Sequence, residues 1–109
     1  MTFGAAINLL NKGKMVQRSG WNGNGLFVFK QVPAEISIDT VLNMQSLPDS
    51  VKQEFQYRKD SKASKAVEVE EFNSIRYNNQ LALVSPTNVI TGWSPSTSDA
   101  LATDWMEYF

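Results

Sequence analysis

From Lys14 to Gln31 the chain reads KMVQR, then SGWNGNG, then LFVFKQ. Two alternating segments around an Asn- and Gly-rich stretch are a β-hairpin signal. Residues two apart share a face of a strand, and Asn-Gly pairs tolerate the positive φ of a tight turn. Met15 and Val16 fall on opposite faces of the first strand. In the second, Leu26, Val28 and Lys30 face one way and Phe27, Phe29 and Gln31 the other. A lone hairpin is marginal in water, so the rest of the chain has to supply further strands and a cover. A tight turn has no use for a large indole at its mouth. Trp21 therefore has two readings, a lid folded back on the core or a stacking surface kept for a ligand.

The cover stands in front of the hairpin. Phe3, Ala6, Ile7 and Leu10 recur at helical spacing, with Thr2 placed as N-cap and Gly13 as a left-handed stop. Downstream, ISIDTVLNM carries Ile38, Val41 and Leu42 at helical spacing, and SLPDSVKQEF carries Leu47, Val51 and Phe55 four apart. Ser46 and Asp49 have the spacing of a capping box and Pro48 suits a first turn, so two short helices are expected. RKDSKASKA, from Arg58 to Ala66, is charged and aperiodic and reads as a solvated mobile loop containing Lys62 and Lys65. VEVEEF reads as an edge strand with its glutamates outward. NQLALV and NVITGW are strands around a Ser85-Pro86-Thr87 turn, and SPSTSDALATDWMEYF gives a short helix near Ser96 or Thr97 and a closing strand. The expected class is α+β: a small antiparallel sheet with an N-terminal helix and a helical insert, in a single domain over residues 1–109.

Composition narrows the chemistry. The 109 residues contain no cysteine and no histidine, and the net charge is −1. Disulfides, thiolate zinc sites and the usual nucleophile–base pairs are excluded, which demotes catalysis without removing carboxylate chemistry. No general field attracts a nucleic-acid polymer or an anionic membrane. No run approaches the roughly 18 apolar residues of a membrane span, and no signal peptide is apparent, so a cytoplasmic location is expected. Phe27, Phe29, Tyr108 and Phe109 give more apolar surface than one small sheet and one short helix can cover, which points to self-association.

Two blocks carry a more specific signal. MTFGAAINLLNKGKMVQRSGWNGNG at the front and GWSPSTSDALATDWMEY at the back resemble the second type of Thoeris anti-defence proteins, a family of small phage proteins. The shared pattern is Phe-Gly and a helix, Gly-Lys, a strand ending in Arg, then Gly-Trp-Asn-Gly, closing with Trp, Ser, Asp, Leu-Ala and Asp-Trp. Residues 33–66 are where such proteins vary, and the helical insert and loop fall there. The resemblance implies a sponge: a protein that binds the cyclic ADP-ribose-type signal of the infected bacterium in the host cytoplasm and withholds it uncleaved. It implies homotetramers with sites formed between subunits; with no histidine, cysteine or obvious metal cluster in the chain, no cofactor and no catalytic or metal-binding residue is expected. It also implies that some longer members take up cyclic oligonucleotides, such as the cyclic trinucleotides of CBASS defence, at separate sites.

A cyclic nucleotide offers flat bases, ribose hydroxyls and phosphates, so its protein needs aromatic faces, amides and N–H donors. Arg18, Trp21, Asn22 and Gly23 supply a charge, an indole, an amide and a backbone open to close approach, with Gly25 a second such position. Trp93, Ser94, Ser96 and Asp99 supply a second indole, hydroxyls at a helix N-terminus and a carboxylate suited to a ribose hydroxyl. Plainer roles compete: Asn22-Gly23 as a turn, Ser96 and Asp99 as a capping box, Trp105 as core, and Asp104 bonded to an indole or a backbone group. Two other functions also compete. One is an enzyme that degrades the signal with Asp99 and Asp104, the other a structural phage assembly protein.

Overall fold

The computed structural model describes residues 1–63 and 72–109. The chain opens with α1 (Phe3–Asn11), β1 (Val16–Arg18) and, after a 3-10 turn over Ser19–Trp21, β2 (Phe27–Gln31). Then come β3 (Ala34–Ser37), α2 (Ile38–Val41), α3 (Asp49–Ala63) and β4 (Ser74–Tyr77). It closes with β5 (Gln80–Val84), β6 (Ile90–Gly92), α4 (Thr97–Leu101) and β7 (Trp105–Glu107). The class is α+β, and the chain divides into two compact units, residues 1–32 with 79–109, and residues 33–78.

The first unit holds a five-stranded sheet in the order β6-β5-β2-β1-β7, with every neighbouring pair antiparallel. The expected hairpin is its centre, with Val16 opposite Val28. α1 starts where Thr2 Oγ1 accepts the Ala5 N–H. It ends at Gly13, whose φ of +82° lets its own N–H reach the Leu10 carbonyl while the Lys14 N–H reaches that of Leu9. That double bond satisfies two of the orphan carbonyls of the last turn. α1 covers one face of the sheet with Ala6 and Leu10, which form a core with Val16, Val28 and Trp105. The terminus is tied in as well: the Met1 amine donates to the Trp105 carbonyl at 2.6 Å, and the Trp105 N–H to that of Met1 at 3.1 Å.

On the other face the register lines up Ile90, Val84, Phe27, Gln17 and Met106 as one row across five strands. Phe27 packs on Tyr108 with ring centroids 4.9 Å apart.

The second unit pairs β3 with β4, placing Ile36 opposite Ile75 and Glu35 opposite Arg76. Four residues each, these strands were not expected, because β3 follows Pro33 directly and neither is long enough for an alternation to stand out. The anticipated VEVEEF strand lies outside the described residues, except for Phe72. α2 is a single turn capped by Ser37, with Ile38 and Val41 buried and Leu42 exposed. α3 corrects two expectations. It starts at Asp49, with the Pro48 carbonyl accepting from Val51 and Lys52, so Ser46 lies before the cap. It also runs on through Arg58, Lys59, Asp60 and Ser61, where a loop was expected. The charges there are good helix formers at helical spacing: Glu54 pairs with Arg58 at 3.3 Å, and Gln56 donates to Asp60 at 3.0 Å.

Candidate functional site

The two loops that carry the candidate residues are brought together by β1 and β7, which run side by side with Arg18 opposite Trp105. Trp105 is the hub. It is only 1% exposed, and its Nε1–H donates to the Asp99 carbonyl at 2.9 Å. Trp21 and Trp93 both meet its ring edge to face, at centroid distances of 5.6 and 5.9 Å and interplanar angles of 81° and 79°. Phe3 of α1 closes the cluster, 5.3 Å from Trp105 and 6.2 Å from Trp93. Edge-to-face pairing suits the positive rim and negative face of aromatic rings. Trp105 is thus core, as its place in a closing strand suggested, and the two candidate indoles are half-buried against it.

Beyond Trp21 the chain turns sharply. The Asn22 N–H reaches back to the Ser19 carbonyl, and Asn22 and Gly23 follow each other at φ +57° and +66°. Asn22 and Gly23 are exposed, and the Asn22 amide has no side-chain hydrogen bond among the described residues. Ser94 is likewise exposed, between β6 and α4. These groups sit beside the two indoles in sequence and remain available to a ligand.

The charged candidates are committed within the chain. Arg18 donates from Nε to Asp104 Oδ1 and from Nη1 to Asp99 Oδ1, both at 2.9 Å. Asp104 Oδ2 also accepts the Gly20 N–H at 3.0 Å and the Ser19 hydroxyl at 3.2 Å. Asp99 Oδ2 accepts the Ser96 N–H while Ser96 Oγ accepts the Asp99 N–H, so Ser96 and Asp99 form the capping box of α4. The negative group at this helix end is therefore the chain's own carboxylate, and α4 has only 5 residues. Asp104 bonds a backbone group, as one reading held.

The electrostatics follow from this wiring. The Arg18 guanidinium, then the Gly20 N–H, hold the Asp104 carboxyl below its ordinary range. Burial pushes Asp99 up, but the Ser96 N–H, Arg18 and the Ser96 hydroxyl outweigh it and leave Asp99 below its ordinary range too. Asp104 and Asp99 in turn raise Arg18. All three groups are locked in their charged forms.

In the second unit, a cavity of about 290 Å³ opens between α3 and β4, lined by Ile38, Phe55, Arg58, Ser74, Arg76 and Asn78 among others. Sequence reasoning missed it, because Arg76 lies on a strand that was not anticipated. Lys65 lies outside the described residues.

The comparisons agree with the pattern read from the two ends of the chain. A family model described as the Thoeris anti-defense 2-like domain matches residues 1–108. The chain is also 29% identical over 105 residues to a Bacillus phage SP01 protein named "Thoeris anti-defense 2", an alignment covering 96% of this chain and 91% of that protein.

Proposed function

This chain belongs to the Thoeris anti-defense 2-like family, and from that premise we propose that it is a phage anti-defence sponge. It binds a cyclic ADP-ribose-type signal in the cytoplasm of the infected bacterial host and withholds it without cleaving it. The observation that carries this reading is the pair of half-buried indoles, Trp21 and Trp93, braced on one buried ring beside exposed amide and hydroxyl groups. Base stacking on such faces is worth roughly 1–3 kcal/mol per base. Trp21, Asn22, Gly23, Trp93 and Ser94 are the groups that touch the ligand. Arg18, Asp99 and the Ser96 cap hold the loops that present them.

The degrading-enzyme alternative finds less support. A general acid needs a carboxyl that is protonated near neutral pH, and Arg18 holds Asp99 and Asp104 ionised. Association into a homotetramer, a dimer of dimers, is supported by exposed apolar residues at the two edge strands and the end of the chain: Ile90 is 63%, Met106 39% and Phe109 93% exposed. For cyclic oligonucleotides as a second ligand class, the supporting feature is the cavity that Arg58 and Arg76 line with Ser74 and Asn78.

Calorimetry with cyclic ADP-ribose isomers tests the binding claim. The expected result is saturable binding that weakens in Trp93→Ala. Absence of binding by any isomer to folded protein rejects the sponge. Light scattering tests the assembly, and a monomer at micromolar concentration rejects the tetramer.

A further inference from the structure

Three consecutive residues, Arg18, Ser19 and Gly20, all donate to one acceptor residue. Arg18 Nε–H goes to Asp104 Oδ1, while the Ser19 hydroxyl and the Gly20 N–H go to Oδ2. The Ser19 N–H goes to the Asp104 backbone carbonyl at 3.0 Å. The next residue on each side continues the pairing, since the Trp21 ring rests on Trp105. From these bonds we infer that Asp104 is a positioning residue, a clasp that fixes the Trp21 loop on the C-terminal strand and so sets where its indole and the following Asn22-Gly23 turn present themselves. The inference rests on the proposed role of that loop in holding ligand.

Gly20 is part of the same device. Its φ is not positive, so glycine is not required there by the backbone. Space favours it: a Cβ at this position would lie 3.2 Å from Asp104 Oδ2 and would press that oxygen back by a few tenths of an ångström. That oxygen has little freedom to retreat, because two donors hold it and Arg18 holds its partner oxygen. Arg18 extends the clasp to α4 through Asp99, so the loop that carries Trp21 and the helix that follows Trp93 are tied to one guanidinium.

Asp104→Asn is the diagnostic change. Both carboxylate oxygens act only as acceptors, and asparagine of nearly the same size replaces one of them with an NH₂ donor. The charged Arg18 Nε–H keeps the remaining oxygen, so the NH₂ faces the Gly20 N–H and that arm of the clasp is lost without creating a cavity. In folded Asp104→Asn, the Gly20 amide should exchange its hydrogen about tenfold faster or more, while Val28 and Leu83 amides in the sheet keep their protection. The near-ultraviolet circular dichroism of the coupled indoles should change, and affinity for a cyclic ADP-ribose isomer that the wild type binds should fall about tenfold. Gly20→Ala, which leaves the carboxylate intact and crowds it, should move the same three readouts in the same direction. If Asp104→Asn does not fold, Gly20→Ala decides the question. Unchanged Gly20 exchange and unchanged indole signal in a folded variant overturn the clasp. An opened clasp with unaltered affinity overturns its positioning role. If the wild type binds no isomer, the proposed function fails, and the exchange and dichroism readouts still test the clasp.

Discussion

Trp21 meets the buried Trp105 edge to face, with ring centroids 5.6 Å apart and planes at 81°. One side of the indole packs on the core while the residue as a whole is only half-buried. Trp21 is a brace that keeps part of its surface exposed. Truncating it should therefore cost stability as well as ligand.

Trp21→Ala should destabilise the fold by about 1–3 kcal/mol, less than the roughly 3–5 kcal/mol expected for Trp105→Ala at a fully buried site. In protein that remains folded, it should weaken ligand by roughly 1–3 kcal/mol, about 5- to 150-fold. Trp21→Phe should recover part of both effects. Urea unfolding and calorimetry on the same preparations check the two numbers separately. Equal destabilisation by the two alanine variants would contradict the packing described.

The Arg18 triad makes stability depend on acid. Asp99 and Asp104 are held below their ordinary carboxyl values in the folded protein, so as pH falls the unfolded chain takes up these protons first. Their contribution is fully present above about pH 4, the unfolded range, and is lost as pH drops through the folded values. Arg18, raised further by its partners, keeps its charge throughout. Urea midpoints measured from pH 7 down to pH 3 should fall below about pH 4–5, and more shallowly in Asp104→Asn. A midpoint that rises on acidification would contradict the triad.

The first unit was legible in the sequence because its signals are local and agree with one another. The Thr2 cap, the Gly13 stop, the alternation of LFVFKQ and the Ser96–Asp99 box each specify their own geometry. The second unit was less legible. β3 and β4 are short and gain definition only by pairing across 38 intervening positions, as at Ile36 and Ile75, and a charged, aperiodic stretch such as Arg58–Ser61 hides a helix held by side-chain pairs. At the site, residue types were readable but their partners were not. Nothing local to Arg18 tells that its charge is shared between aspartates 81 and 86 positions away.

That division of the chain gives a further prediction. Gln31 pairs with Gln80 across β2 and β5, so the second unit leaves and returns at adjacent positions of one ladder. Removing residues 33–78 and replacing Val32 and Asn79 with Asn-Gly should turn β2 and β5 into a tight hairpin. The shortened protein should fold and still bind a cyclic ADP-ribose isomer. Well-folded protein without that binding would place part of the primary site in the second unit.

A sponge holds its signal without consuming it. The most direct measurement incubates the protein with a cyclic ADP-ribose isomer it binds, removes free ligand, denatures the complex and identifies the released compound by mass spectrometry. Quantitative return of the intact cyclic molecule after prolonged incubation is the expected result. Recovery of a linear or fragmented product, in an amount that grows with time, would contradict it.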